Sequence, residues 1–185
     1  MYGNWLPGDK RGFVSNVRDS EGPEIRHNVP GTEYDADIPN LENHAFGRLI
    51  GDPVRMDVPQ AEALFGQFEE TAAYRGWRLF AVGIMANHCH VVIGVPGDPE
   101  PQKLLQSLKS YGSRALNRHW ARPESGTWWT ESGSKRKLLD DAAVLAAIHY
   151  VVDQGYPLLI WTTAVPELNL NGGRIIWGEQ WMSIP

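Results

Sequence analysis

Several features that the sequence lacks narrow the class of protein before any motif is considered. The chain has a single cysteine, Cys89, which excludes an internal disulfide framework and favours a reducing, cytoplasmic location. It has no run of about 18 apolar residues, so we expect no membrane-spanning helix and no membrane partner. Residues 1–5 lack the basic and apolar stretches of a signal peptide, and none is expected. There is neither an internal repeat nor a low-complexity tract, and the 185 residues, 42% of them hydrophobic, fit one globular domain spanning 1–185.

Positive charge is scarce overall but concentrated in one segment. The net charge of −5 argues against a polyanionic partner, yet residues 103–137 carry +6 and the remainder of the chain −11. The basic residues of this segment are Lys103, Lys109, Arg114, Arg118, Arg122, Lys135, Arg136 and Lys137. A local basic surface on an acidic protein can hold a phosphate backbone, although solvated helix faces would explain the same charges equally well.

Helical periodicity predicts three helices. The first follows Asp57, which forms a capping-box pattern with Gln60, and it ends at Gly76. Its apolar residues recur at helical spacing, and they are Ala61, Leu64, Phe65 and Phe68. The second helix is predicted over about 101–120 and the third over about 141–154.

Two β-rich runs lie between the first two predicted helices. Strands are predicted over 77–84 and 88–95. The tight connection 85–87 predicts that these two strands form an antiparallel hairpin. Two shorter strands are predicted over 127–130 and 135–138, between the second and third helices.

This order of elements predicts the fold class. Alternating strands and helices over a core of about 60–160 indicate a two-layer, ferredoxin-like α/β (α+β) domain, with a central antiparallel sheet and helices on one face. Outside that core, residues 2–6 could add a short strand. Residues 8–57, rich in turn formers, predict an irregular insertion, and 158–185 a small C-terminal appendage of strand and loop.

The sequence His88-Cys89-His90 opens the second strand of the predicted hairpin. Because side chains alternate across a strand, the two imidazoles should share one face while Cys89 points into the layer beneath. Two imidazoles on one face form half of a metal site, although two ordinary surface or partly buried histidines have the same spacing. The apolar residues after the pair predict a strand inside the sheet, where a metal would satisfy both rings.

Two of the six tyrosines lie in helices that could carry chemistry. At about 100° per residue, Tyr150 lies roughly 150° from the apolar stripe of its helix, and Gln154 lies one turn beyond it on the same side. A half-exposed aromatic on a docking face is the other interpretation of Tyr150. Tyr111 instead falls on the apolar stripe of the second helix, which favours a core aromatic.

The motifs together resemble a known family. MANHCHVVIGV, then the basic helix KLLQSLKSYGSRALNRHW, then GTWW and LDDAAVLAAIHYVVDQ resemble the single-tyrosine HUH transposases, in particular their insertion-sequence-200-like and REP-associated branches. Met85, Asn87, His88 and His90 stand where this family has Met-x-Asn-His-x-His. The resemblance covers about residues 60–160.

The resemblance implies a reaction and a set of partners. Tyr150 would be the nucleophile of an endonuclease that cuts and rejoins single-stranded DNA through a 5′-phosphotyrosine. His88, His90 and Gln154 would hold a divalent metal, Mg²⁺ or Mn²⁺. The DNA would carry hairpin-forming repeats, and the protein would act as a homodimer.

The basic segment supplies the candidate DNA contacts, since single-strand sites combine positive grooves with stacking aromatics. The candidate basic contacts are Lys103, Lys109, Arg114, Arg118, Lys135, Arg136 and Lys137. Trp120, Trp128 and Trp129 could stack on bases, although core packing explains at least one of them equally well.

Two other functions fit parts of the pattern. A domesticated, non-catalytic DNA-binding relative would keep the fold without the reaction. A metal-dependent hydrolase would use water in place of tyrosine, but no carboxylate lies close in sequence to His88 and His90 to act as its base. Asp98 and Glu100 come only after the predicted strand has ended.

Overall fold

The helices and strands of the computed structural model are given for residues 1–4, 6, 16–18, 24–26, 39–131, 133–165 and 173–176, which are the residues the structure describes. They are β1 (Asn16–Arg18), β2 (Glu24–Arg26), α1 (Pro39–Gly47), α2 (Val58–Arg75), β3 (Arg78–Ile84), β4 (Cys89–Gly94), α3 (Pro101–His119), α4 (Asp141–Val152), β5 (Leu159–Thr162) and β6 (Gly173–Ile176). None of the helices in these ranges combines the length and apolar character that crossing a membrane requires.

A four-stranded antiparallel sheet organises the chain, in the order β4-β3-β5-β6. The predicted β3–β4 hairpin is confirmed, with Ile84 opposite Cys89 and Gly83 opposite His90. β3 is flanked on its other side by β5, and β1 and β2 form a separate two-stranded sheet. The α+β class is therefore confirmed.

Two predictions about the sheet are wrong. β4 is the edge strand of the described sheet, not an interior one. Its apolar residues are explained by helices on its faces rather than by neighbouring strands on both sides. β5 is a central strand, although its residues fall in the predicted appendage 158–185. β5 has only four residues, which are too few to show a period, so its place in the sheet could not be predicted.

One face of the sheet carries α2 and α3. Leu64, Phe65 and Phe68 of α2 pack with Val82 and Ile84 of β3 in the larger of two buried clusters.

The predicted ends of α2 are confirmed. Asp57 Oδ1 accepts from Gln60 N at 2.9 Å, Gln60 Oε1 accepts from Asp57 N, and Gly76 ends the helix with φ 65°.

The other face carries α4. Ile148 and Val151 pack with Ala81 and Val92 in the second cluster, whose sheet residues alternate with those of the first. Helices therefore cover both faces, and the prediction that they share one face is wrong for α4. The reason is visible in β3, where five of seven residues are buried without alternation, as in a strand covered on both sides.

Among the described residues, none of the three short strands predicted outside the hairpin forms. Residues 2–4 form a turn and a bend, Trp5 lies outside the described residues, and neither 127–130 nor 135–138 is extended into a strand. Around Thr127 the polar groups bond locally, since Ser125 Oγ donates to Thr127 O at 2.8 Å and Thr127 Oγ1 accepts from Trp129 N at 3.2 Å. Such bonds compete with a sheet ladder. The predicted irregular insertion 8–57 contains β1, β2 and α1, and its remaining residues up to 38 lie outside the described ones.

Candidate active site

The imidazoles of His88 and His90 lie side by side at the start of β4. Their ring centroids are 5.0 Å apart in an edge-to-face arrangement. Cys89, between them, packs into the cluster under α2 and α3, and burial raises the pKa of its thiol. The predicted alternation is thus confirmed, and both histidines stand on the face of the sheet that α4 covers.

Asn87 orients His88. Its Oδ1 lies 2.7 Å from His88 Nδ1. Because an amide oxygen can only accept, Nδ1 of the neutral ring carries the proton and Nε2 keeps the lone pair that a metal needs. In the sequence Asn87 is only a position of the Met-x-Asn-His-x-His pattern, and its role as a partner of His88 follows from this contact.

His90 presents a buried nitrogen. Its Nε2 is shielded from solvent and has no hydrogen-bond partner among the residues that the structure describes. Burial lowers the pKa of His90, so the ring is neutral at physiological pH. A buried polar nitrogen without a partner is costly, and a ligand that accepts its lone pair would remove that cost.

Tyr150 of α4 lies against His90. The ring centroids are 5.2 Å apart at an interplanar angle of 80°, and the tyrosine is 58% exposed. Sixty positions of sequence separate the two residues, and the packing of α4 on β3 and β4 brings them together. The interpretation of Tyr150 as an aromatic turned away from the helix core agrees with this position.

Gln154 follows α4 rather than continuing it. The helix ends at Val152, two residues earlier than predicted, and Gln154 Nε2 donates to Tyr150 O at 2.9 Å. This bond satisfies one of the last carbonyls of the helix. It uses the amide nitrogen, so Oε1, the atom that would bind a metal, is not consumed by it. Among the residues that the structure describes, no group of three His, Cys, Asp or Glu side chains could hold a metal.

A contact between His149 and Asp153, which the sequence did not lead us to expect, flanks Tyr150 at the end of α4. His149 Nδ1 lies 2.9 Å from Asp153 Oδ2, with both side chains 61% exposed. The i, i+4 spacing was the available signal. His149 thus contacts the carboxylate of Asp153, which is the acidic group nearest in sequence to Tyr150.

The candidate DNA contacts form two groups. Around the start of α3, Lys135 Nζ donates to Gln102 Oε1 at 2.7 Å, Lys137 pairs with Asp98 at 2.6 Å, and Lys103 lies 4.0 Å from Glu100. The exposed Arg136 belongs to the same segment. Two of these cations are thus partly neutralised by acidic neighbours.

The second group lies further along α3. Arg114 and Arg118 are exposed, and Arg114 stacks over the ring of Tyr111 at 5.0 Å. Arg118 lines a cleft of about 210 Å³ between α2 and α3. Lys109 is more enclosed, since its Nζ donates to Thr130 O at 2.7 Å and burial lowers its pKa.

The aromatic residues separate into core and surface positions. Trp128 and Trp129 are buried, and their indole nitrogens donate to Asn117 Oδ1 and Ser113 Oγ, both at 2.8 Å. Core packing is therefore the correct interpretation of both. Trp120 packs partly buried against the same cluster. Tyr111 is half-buried beside Gln67 and Glu70 of α2, on the opposite side of the sheet from the histidines.

Comparisons with known proteins assign the chain to a family. The model of the family described as IS200-like transposases matches residues 56–154, more than half of the chain. This span begins just before α2, includes both histidines, and ends at Gln154. Searches of curated proteins and of solved structures give no significant match. Membership implies DNA binding and DNA transposition, and on the strength of the family match the chain belongs to the IS200-like transposases.

Proposed function

We propose that this transposase cleaves and rejoins single-stranded DNA with Tyr150 as its nucleophile. The observation that carries the proposal is the contact between the rings of Tyr150 and His90, at 5.2 Å between centroids. Tyr150 is exposed to solvent beside the partly buried pair His88 and His90, and it belongs to neither buried cluster. It is accessible to a large substrate, which a strand of DNA requires.

We propose a divalent metal, Mg²⁺ or Mn²⁺, as the cofactor of this site. His88 Nε2, His90 Nε2 and Gln154 Oε1 would hold it, and the buried, unpartnered Nε2 of His90 supports this assignment within the described residues. Two imidazoles and an amide leave positions open, as in catalytic rather than structural sites. When bound, the ion would neutralise charge on the scissile phosphate.

The residues of the chain account for the bond changes. Tyr150 Oη attacks phosphorus, the bond from phosphorus to O3′ breaks, and the 3′-oxygen takes a proton from solvent and leaves as a hydroxyl. The phenolic proton can pass to solvent, because Tyr150 is more than half exposed. The 5′-phosphotyrosine conserves the energy of the broken bond, so attack by a second 3′-hydroxyl can rejoin strands without ATP.

The substrate proposed is single-stranded DNA next to hairpin-forming repeats. Arg114, Arg118 and the group around Lys135 supply positive charge on exposed surfaces, which suits a phosphate backbone. A homodimer is proposed as the acting form. The buried Trp128 and Trp129 are not available for stacking on bases.

A covalent adduct tests the proposal directly. Purified protein is incubated with Mn²⁺ and an end-labelled hairpin oligonucleotide, and adducts are resolved on a denaturing gel. We expect an adduct with the wild type and none with Tyr150→Phe. Tyr111→Phe is the matched control, because Tyr111 lies on α3 across the sheet, and it should form the adduct normally.

Each alternative predicts a different gel. An adduct that survives Tyr150→Phe, or is lost only with Tyr111→Phe, contradicts the assigned nucleophile. Cleavage without any adduct indicates a hydrolase that uses water. Binding of the oligonucleotide without cleavage indicates a non-catalytic DNA-binding relative.

A further inference from the structure

Gly83 lies at the point where α4 approaches the sheet most closely. It is the cross-strand partner of His90 in the β3–β4 register. A methyl group on Gly83 would stand 3.0 Å from Val151 Cγ1 and 3.5 Å from Val151 O. Val151 is 2% exposed and follows Tyr150 directly in α4. One glycine thus faces both the histidine and the helix that carries the tyrosine.

The backbone of Gly83 does not require glycine. Its φ is not among the positive values found in the described chain, so any residue could adopt its conformation. Glycine inside a strand costs stability, and it commonly marks a place where another backbone comes close. The missing side chain is therefore the relevant property of Gly83.

We propose that Gly83 is a positioning residue that sets the distance between α4 and β4, and thereby the contact between Tyr150 and His90. This inference rests on the proposed function of Tyr150. With no side chain between them, Val151 packs directly on β3, and the adjacent tyrosine reaches the histidine on the neighbouring strand.

An added methyl group has little room to be absorbed at this interface. Val151 is β-branched, and such side chains hold one χ1 rotamer in a helix. β3 is paired with β4 on one side and β5 on the other, and this pairing resists a displacement of the strand. The remaining response is a displacement of α4 away from the sheet. In-line attack is sensitive to such shifts, since misplacement by about 1 Å can cost on the order of 10²-fold in rate.

The first test compares rates of adduct formation on the hairpin oligonucleotide. We expect Gly83→Ala to lower the rate several-fold, because the new contact with Val151 requires a shift of a few tenths of an ångström. The double variant Gly83→Ala/Val151→Ala should recover most of it, because the second change removes the atom that the new methyl group meets. Gly66→Ala on α2 is the matched control, since nothing lies within 4 Å of its added methyl group, and its rate should equal that of the wild type.

A second measurement does not depend on activity. The ring protons of His90 sense the nearby tyrosine ring, so their NMR shifts report the contact. In Gly83→Ala these shifts should move toward those of Tyr150→Leu, and in the double variant they should return. If Gly83→Ala does not fold, Val151→Met enlarges the same interface from the helix side and should give the same shift and loss of rate.

The outcomes separate the two proposals. Unchanged His90 shifts in Gly83→Ala, or a rate that Val151→Ala does not restore, overturn the role of Gly83. Absence of any adduct in the wild type overturns the proposed function, while the NMR shifts still decide whether Gly83 sets the contact.

Discussion

At the residue scale, the protonation of His90 links the candidate site to stability. Burial lowers the pKa of this imidazole in the folded protein, so the unfolded chain takes up a proton at a higher pH than the folded one. The contribution of this pKa difference to the free energy of unfolding is fully present above the ordinary histidine pKa of about 6.5. It is lost as the pH falls from there through the folded pKa.

This linkage predicts a change in the pH profile of unfolding. The free energy of unfolding of the wild type should fall between pH 7.5 and pH 5.5, and His90→Gln should show a smaller fall over the same interval. Urea denaturation at the two pH values measures both. An equal fall in the variant would show that His90 is not the group responsible.

A second prediction at the residue scale concerns Asn87 and the metal affinity of the candidate site. The bond of Asn87 to His88 Nδ1 fixes the tautomer that exposes Nε2. Loss of such a partner typically weakens metal affinity about 10- to 100-fold. Calorimetric titration of Mn²⁺ should show that loss for Asn87→Ala, and a much smaller one for Asn87→Asp, which keeps an acceptor in place. Equal affinities of Asn87→Ala and the wild type would contradict the role.

At the scale of elements, two helical glycines test how tightly α2 and α3 pack. A methyl group on Gly112 of α3 would meet Leu64 Cδ1 at 2.7 Å and Trp129 Cζ2 at 3.2 Å, whereas one on Gly66 of α2 meets nothing within 4 Å. Gly112→Ala should destabilise the protein by about 1–3 kcal/mol through overpacking. Gly66→Ala should stabilise it by about 0.5–1 kcal/mol through helix propensity. Urea midpoints that move in the same direction for both variants would contradict this.

The same scale shows which elements the sequence could predict. α2 was predictable because its signals are local, with a capping box at Asp57 and a stop at Gly76. The hairpin was predictable from β-branched runs joined by a short link. β5 was not predictable, because a strand of four residues shows no period, and its place beside β3 depends on contacts distant in sequence. The strand predicted over 127–130 was wrong, because the apolar Trp128 and Trp129 are held by side-chain hydrogen bonds rather than by pairing in a sheet.

The candidate site was predictable only in its parts. Alternation along a strand predicted that His88 and His90 share a face, and helical geometry set Tyr150 apart from the apolar stripe of its helix. Their meeting depends on α4 crossing the sheet face opposite to α2, which no local pattern indicates. Gly83 permits that approach, but a glycine in a strand has several explanations from sequence alone.

At the scale of the whole molecule, one chain contains all the candidate catalytic residues. Tyr150 contacts His90 of its own chain, so we expect each protomer of the proposed homodimer to pair its own tyrosine with its own histidines. A mixture of Tyr150→Phe and His90→Ala proteins should then form no adduct on the hairpin oligonucleotide. Recovery of the adduct in the mixture would show that the tyrosine serves the histidines of a second copy.

The edge position of β4 has a consequence for how a substrate could enter. Among the described strands, β4 has a neighbour on one side only, and Tyr150 stands exposed above it. A site at the rim of a sheet can be loaded from the side, so a polymer need not be threaded through it by a free end. An internal stretch of a very long strand could therefore be engaged and later released laterally, wherever along its length the hairpin happens to form.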